Sequence, residues 1–376
     1  MRTGSRVAVT LAVLAGFAGV VGYAVLGHQQ QQQVAHQEEV RATAQDVSGF
    51  VAVDVDPFFA DARVQRILRD KGFAVKATRA GSRDMPDKLA AGDKPDFWFP
   101  SGVLAANQID DQAKKLGQSL TQTTPFNSPM VVASWLPIAG ILEANGIAHR
   151  TGEHVYGLNM DKLAEAMLAK KRWAEFKGAS AYDVKRSVLV STTDVRKSNS
   201  AAMYLALMSQ ALNGGDVVTD HAVAKASAGK LAELFKRQGF QENYVNGNFD
   251  DYVQIGIGKT PLAFIYEYQL AGYAIAHKGV QADMVLMYPE PTIVNKFVFL
   301  GASARGKALQ QELATNVDLQ KIAVEMGLRS ADPSLFAAAV KPTGLAVQDR
   351  IVQVIDPPAY ELMTDMIDTV TQEMSQ

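Results

Sequence analysis

The sequence contains no cysteine and carries almost no excess charge of either sign. The absence of cysteine excludes disulfide bonds, thiolate chemistry and a lipid anchor attached through a cysteine. The 37 basic and 39 acidic residues give a formal net charge of −2, so no strong overall field attracts nucleic acid or an anionic surface. A charged ligand would therefore have to be met by a local site.

Motifs of catalysis and of metal binding are also missing. The six histidines are scattered, and the closest pair, His149 and His154, has no third ligand nearby. No G-x-S-x-G turn, H-E-x-x-H motif or acidic ladder with metal spacing occurs. The segment 256–260 ends like a phosphate-binding loop, but Val253 replaces its first glycine, so we interpret it as a turn. The sequence therefore predicts a binding protein without cofactor or metal. A hydrolase or transferase hidden in a cleft stays an alternative.

A run of twenty uncharged residues, Val7 to Leu26, lies close to the start of the chain. At helical rise this run is about 30 Å long, which is the thickness of a bilayer's hydrocarbon core. Arg2 and Arg6 before it favour a cytoplasmic N-terminus. We therefore expect a cytoplasmic segment 1–6, a transmembrane anchor 7–26 and a stalk 27–46, with the remaining chain outside the cell membrane.

A cleaved signal peptide is the competing interpretation, because it also combines a basic start with an apolar stretch. Against cleavage, the run is longer than the usual signal core, and the bulky Tyr23, Val25 and Leu26 leave no small-x-small site. Both interpretations place the globular part in the periplasm or at the cell exterior.

The globular part begins with short apolar runs that alternate with helical patterns. The runs Phe50–Val53, Phe73–Thr78 and Asp96–Phe99 suit buried strands, and a helical stretch follows each. We expect Asp56 to cap the first helix, which would run to Lys71. Three such units in succession predict an α/β fold with a doubly wound parallel sheet.

The strands and helices that follow no longer repeat the strand–loop–helix unit. We predict strands at Met130–Trp135, Ser187–Ser191 and Pro261–Tyr268, a long helix after Ser198 and an amphipathic helix after Pro358. We expect two lobes, formed by residues 47–134 and 135–288, with crossings near Trp135 and Tyr288. Residues 289–376 supply a return strand, which helps to complete the first lobe, and the C-terminal helices.

Four segments carry a strand–loop–helix or return-strand layout: Gly81-Ser82-Arg83, AAGDKPDFWFPSG, SVLVSTTDVRKSNSAAMYLAL and MYPEPTIVNKFVFLG. These segments resemble bacterial solute-binding proteins of ABC importers, of the type 2 periplasmic-binding fold. The resemblance implies two lobes that capture a small ligand and close around it, and a membrane permease as partner. Its molybdate- and phosphate-like branch implies an oxyanion held by serine hydroxyls and backbone amides. A tethered sensory or envelope-assembly module with the same fold is the alternative.

Candidate ligand-binding residues lie where predicted strands end and helices begin. A helix start exposes unpaired amides and about half a positive charge, which suits an anion. Ser198, Asn199 and Ser200 occupy such a start, although Ser198 also suits a simple helix cap. The loops that contain Ser82, Arg83, Ser101 and Gly102 are expected to face the same cleft.

Tyr266 and Glu267 complete the candidate site and leave the class of ligand open. If this segment is a strand, Tyr266 and Tyr268 point to one face and Glu267 points to the other. A tyrosine hydroxyl would serve an anion as a donor. A carboxylate in the cleft would instead suit an amine or a cation.

Membrane attachment should depend on residues 7–26 alone. We expect the full chain to sediment with membranes and to keep its N-terminus, whereas a chain beginning near Ala42 should stay in the supernatant. N-terminal sequencing checks this, because a mature start between about Gly22 and Gln33 would restore the signal peptide.

Overall fold

The computed structural model describes residues 38–239, 241 and 245–375, in which strands and helices alternate. The strands are β1 (Gln45–Val51), β2 (Phe73–Arg79), β3 (Phe97–Phe99), β4 (Thr121–Trp135), β5 (Ala148–Gly152), β6 (Val155–Leu158), β7 (Ala263–Tyr266), β8 (Met284–Pro289), β9 (Val294–Gly301) and β10 (Arg329–Ser330). The helices are α1 (Asp56–Ala60), α2 (Ala62–Asp70), α3 (Met85–Ala90), α4 (Val103–Lys115), α5 (Leu136–Ala144), α6 (Met160–Leu168), α7 (Asn199–Leu212), α8 (His221–Gln238), α9 (Val245–Gln254), α10 (Glu267–His277), α11 (Ala304–Thr315), α12 (Val317–Glu325), α13 (Pro333–Val340) and α14 (Tyr360–Met374). Short 3-10 turns lie at 173–175, 179–181 and 341–343.

The strands form two sheets that share the long strand β4. The first sheet has the order β2-β1-β3-β9-β4-β10 and the second has the order β7-β4-β8-β6-β5. As predicted, β1 pairs in parallel with β2 and β3. The expectation of a parallel sheet throughout is wrong, because β9 runs antiparallel to β3 and β4. The architecture is therefore mixed α/β.

Each sheet carries its own hydrophobic core, which divides the described chain into two lobes. Along β4, Phe126 belongs to the first core and Met130 to the second. On the return path, Ile293 lies in the second core and Phe297 in the first. The sequence predicts these crossings near Trp135 and Tyr288, whereas the change from one core to the other lies at 126–130 and 293–297. Trp135 is the last residue of β4 and pairs with β8 inside the second sheet.

The C-terminal segment crosses between the lobes a third time. After β10 in the first sheet, α13 and α14 pack into the second core. On the way, Thr292 donates its amide hydrogen to the Gln353 carbonyl (2.9 Å), and Ile355 donates to the Thr292 carbonyl (2.9 Å). The helix predicted after Pro358 is confirmed as α14. Its buried face lies along α8.

Two local expectations are wrong, each for a reason visible in the backbone. The predicted helix Asp56–Lys71 breaks at Asp61, whose side chain accepts a hydrogen bond from the Arg63 amide (2.7 Å) and caps a new helix. Asp56 lies in the first turn of α1 and caps nothing. The segment Ser187–Ser191 forms only isolated bridges at its two ends instead of a strand.

The predicted anchor 7–26, with the cytoplasmic residues 1–6 and the stalk up to residue 37, lies outside the described residues. In the part of the chain that the structure describes, no helix combines the length and apolarity needed to cross a membrane. β1 begins at Gln45, two residues before the predicted start of the first lobe.

Glycine at position 272 allows α10 to pack closely against the end of α12. A Cβ atom there would lie 2.5 Å from the Met326 carbonyl oxygen, whereas the helical Gly229 in α8 has open space around it. We expect Gly272→Ala to lower the free energy of unfolding by about 1–3 kcal/mol, because backbone must move. Gly229→Ala should raise it by about 0.5–1 kcal/mol through helix propensity. Denaturation of the two variants checks this, and equal effects would contradict the packing.

Candidate functional site

A cavity of about 740 Å³ lies between the two lobes. The first lobe lines it with the loops that follow β1, β2 and β3, because the carboxyl ends of parallel strands meet at one edge of a sheet. The second lobe lines it with the start of α7, the end of β7, and parts of α9 and α14. Of the nine predicted site residues, the cavity wall contains Ser82, Arg83, Ser101, Ser198, Asn199 and Tyr266.

The N-termini of two helices, one from each lobe, meet at this cavity. Gly102 precedes α4 and Ser198 precedes α7, and neither helix has a side-chain cap. Gly102 has a φ of +98°, and a Cβ atom there would lie 3.5 Å from the side-chain nitrogen of Asn199. Gly102 itself thus lies beside the wall, between the lobes. The uncapped amides and aligned dipoles of both helices create a positive potential here.

The serines of the first lobe connect its loops by hydrogen bonds. The Ser101 amide donates to the Ser82 hydroxyl oxygen (2.9 Å), and the Asn295 side-chain amide donates to the Ser101 hydroxyl oxygen (2.9 Å). The Ser82 hydroxyl thus accepts a bond from the protein and keeps its own hydrogen available for a ligand acceptor. The Ser101 hydroxyl also bonds the Asp54 carboxylate. Ser82 and Ser101 hold the two loops together at the cavity wall.

The three residues at the start of α7 have different roles. The Ser198 and Ser200 hydroxyls lie 2.9 Å apart, and Ser200 also pairs with the Thr193 hydroxyl (2.8 Å). Ser200 is only 1% exposed and lies behind the cavity wall. The Asn199 side-chain amide donates to the Tyr266 hydroxyl oxygen (3.2 Å) inside the cavity. Burial raises the pKa of Tyr266, so its hydroxyl stays protonated and can donate.

Arg83 is a guanidinium without an ion pair or hydrogen bond among the described residues, and it faces the cavity. The surrounding protein desolvates it and lowers its pKa, while Tyr360 and Tyr266 act in the opposite direction. Arg79 and Lys197 are likewise unpaired in the described structure. Arg196 differs, because it donates several hydrogen bonds to the Asp194 carboxylate and thereby lowers the pKa of that carboxyl.

Acidic side chains also line the cavity, so its wall carries both signs of charge. Asp54 accepts a hydrogen bond from the Tyr268 hydroxyl (3.0 Å), and burial raises its pKa above the ordinary value. Asp84, Asp250 and Asp368 are lining carboxylates without a hydrogen bond or ion pair in the described structure.

Glu267 is not part of the cavity wall, and the predicted strand through it is wrong. β7 ends at Tyr266, and Glu267 is the first residue of α10, so the two side chains do not alternate along a strand. Glu267 is fully buried and accepts hydrogen bonds from Arg329 (2.6 and 2.8 Å) and from the Tyr288 hydroxyl. Burial alone would lower the pKa of Arg329, but the bonds and charge of Glu267 raise it.

Several lining residues escaped the sequence analysis of the site. Asp54 follows the first predicted strand directly, so its position at the sheet edge was available as a signal. Asn246 and Asp250 on α9, and the whole contribution of α14, reach the cavity only through tertiary packing. Among the described residues, no group of three histidine, aspartate or glutamate side chains is arranged to hold a metal ion.

No protein-family model and no curated protein matches this chain. Solved structures with similar folds include the sulfate-binding protein SubI of Mycobacterium tuberculosis (16% identity, TM-score 0.46, 80% of this chain and 93% of that one). The molybdate-binding protein of Azotobacter vinelandii is another (13%, 0.43, 76% and 100%). Iron-bound HitA of Pseudomonas aeruginosa is a third (12%, 0.48, 86% and 99%).

The Glu267–Arg329 pair should be a main determinant of stability. Glu267→Gln leaves the largely buried Arg329 guanidinium without its counter-charge, so we expect the free energy of unfolding to fall by about 3–5 kcal/mol. Urea denaturation checks this. Asp46→Asn is the control, because Asp46 pairs with Lys76 where both side chains are mostly exposed, and it should change the midpoint little. Equal effects would contradict this role.

Proposed function

We propose that this chain is a solute-binding protein that captures a small anion between its two lobes and delivers it to a membrane permease of the ABC-importer type. The observation that carries the proposal is the meeting of two uncapped helix N-termini, from opposite lobes, at one cavity. Such amides suit an anion, and a ligand that they share would draw the lobes together.

The side chains around these helix ends support an anion. Arg83 offers a planar fork of donors that no other described side chain engages, and the Ser82 and Ser101 hydroxyls lie in the same wall. Lys197 adds a second unpaired cation directly before α7.

The residues that line the cavity favour reversible ligand binding over catalysis. No histidine lines the cavity among the residues that the structure describes. Reversible binding requires only that the ligand's contacts to the two lobes strengthen as the cleft closes. The proteins of similar fold bind different ligands, so the choice of an anion rests on the cavity itself.

Delivery to a permease would require the domain to work outside the cell membrane, on the same side as the incoming solute. The apolar segment 7–26 would tether the domain there, and residues 27–37 would be part of the linker between the anchor and the domain. This part of the proposal stands on the sequence pattern alone, and the fractionation experiment tests it separately.

Arg83→Ala should weaken anion binding by roughly ten- to a hundredfold, because a hydrogen bond to a charged group contributes about 1.5–3 kcal/mol. Calorimetric titration of the detergent-purified full chain with sulfate, phosphate and molybdate measures this, and putrescine serves as the cationic probe. We expect at least one oxyanion to bind and to raise the melting temperature, and putrescine to do neither.

Arg69→Ala is the matched control, because it removes the same charge from an exposed position on α2 of the same lobe. It should leave affinity within about twofold, since exposed charges beyond a Debye length of about 10 Å are largely screened. The proposal fails if Arg83→Ala behaves like Arg69→Ala, or if putrescine binds and none of the oxyanions does.

A further inference from the structure

We infer that the ligand is an organic anion, and that its apolar part lies against the C-terminal helix α14. This inference rests on the proposed function, because it assumes that the anionic end occupies the helix N-termini beside Arg83. It adds a chemical class of ligand and a third wall of the binding site.

The size of the cavity exceeds what a bare oxyanion needs. Its volume of about 740 Å³ lies inside the range of roughly 300–1,000 Å³ that is typical of sites for organic molecules. An inorganic oxyanion at the start of α4 and α7 would leave the space along α14 to water. Part of the lining in that direction is apolar, so water there would be poorly bound.

The apolar lining comes from one face of α14. The lining residues of this helix occupy positions 360, 363, 364, 367 and 368, which is the spacing of a single helical face. Tyr360 and the half-buried Ile367 form its accessible apolar part, and Met363 contributes little because it is only 2% exposed. Leu104 of α4 and the largely buried Met203 of α7 also line the cavity.

The apolar face and the anion site are continuous. Tyr360, the first residue of α14, and Arg83 line the same cavity, although the two residues belong to different lobes. From Tyr360 to Asp368 the helix advances by about 12 Å. Asp368 carries a carboxylate, which would disfavour a second anionic group at that end. The geometry therefore suits one anionic head with a short apolar body.

α14 is a preformed wall, because its opposite face is fixed in the second core. Leu362, Met366 and Val370 are buried, and the Asp365 carboxylate lies 2.6 Å from the His221 ring nitrogen of α8. The Tyr360 side chain makes no hydrogen bond to any residue that the structure describes and is 46% exposed, so it can contact a ligand and be replaced without loss of such a bond.

Two probe series on the full chain in detergent test the inference. Phosphate, methylphosphonate and propylphosphonate form one series, and sulfate, methanesulfonate and propanesulfonate form the other. We expect affinity to rise by about fourfold per methylene in the series that binds, or about 15-fold from methyl to propyl. Tyr360→Ala should weaken the propyl compound at least fivefold and leave the methyl compound within twofold. Gln372→Ala, an exposed neutral position on the same helix, should change neither.

Three outcomes would overturn the inference: affinity that stays flat or falls with chain length, a Tyr360→Ala effect equal to that of Gln372→Ala, or no organic anion bound in either series. In each case, oxyanion binding that still depends on Arg83 would leave the proposed function intact. Loss of that dependence for every anion is the separate result that would refute the proposed function.

Discussion

The buried ion pair between Glu267 and Arg329 is the interaction on which the two-lobed arrangement depends. Arg329 lies on β10 in the first sheet, and Glu267 follows β7 in the second, so the pair joins the lobes. Arg329 also donates to the Gln348 carbonyl, and the Gln348 amide donates to the Tyr288 hydroxyl oxygen (3.1 Å), which brings in the C-terminal segment. Separating these groups would leave a buried charge without its partner. The pair therefore holds the two lobes together at this point.

Rotation about that point would act on the cavity through the strands that cross between the lobes. The Met130 amide donates to the Ile293 carbonyl (2.9 Å) and the Thr292 hydroxyl to the Met130 carbonyl (2.7 Å), so the two crossing strands are bonded to each other. Thr292 in turn is bonded to the tail at Gln353. Closure would therefore bend three adjacent segments together while each core stays intact. This is how a hinge can move helix N-termini without loss of packing.

The sequence was informative where local signals decide the structure. Short apolar runs followed by helical patterns predicted β2 and β3 but only the last two residues of β1, and the small polar residues after them marked the loops of the cavity. The predicted position of Glu267 on a strand was wrong because alternation in a short segment resembles a strand. In the structure the Gln269 side chain accepts a hydrogen bond from the Tyr266 amide (3.0 Å), and a helix begins there. The role of α14 was out of reach, because an amphipathic pattern shows which face is buried and not where the other face lies. Asp250 on α9 was missed for the same reason.

The pKa values of Arg83 and Asp54 shift in opposite directions for one reason, and that reason bears on how strongly the cavity binds an anion. Burial lowers the pKa of the guanidinium and raises that of the carboxyl, so the environment disfavours both charges. A bound anion would favour the charged form of Arg83 and the neutral form of Asp54, because it attracts the first charge and repels the second. The attraction between the anion and Arg83 would thereby offset part of the free-energy cost of desolvating the guanidinium. Desolvation without a counter-charge disfavours Arg83, and a bound anion would offset that cost.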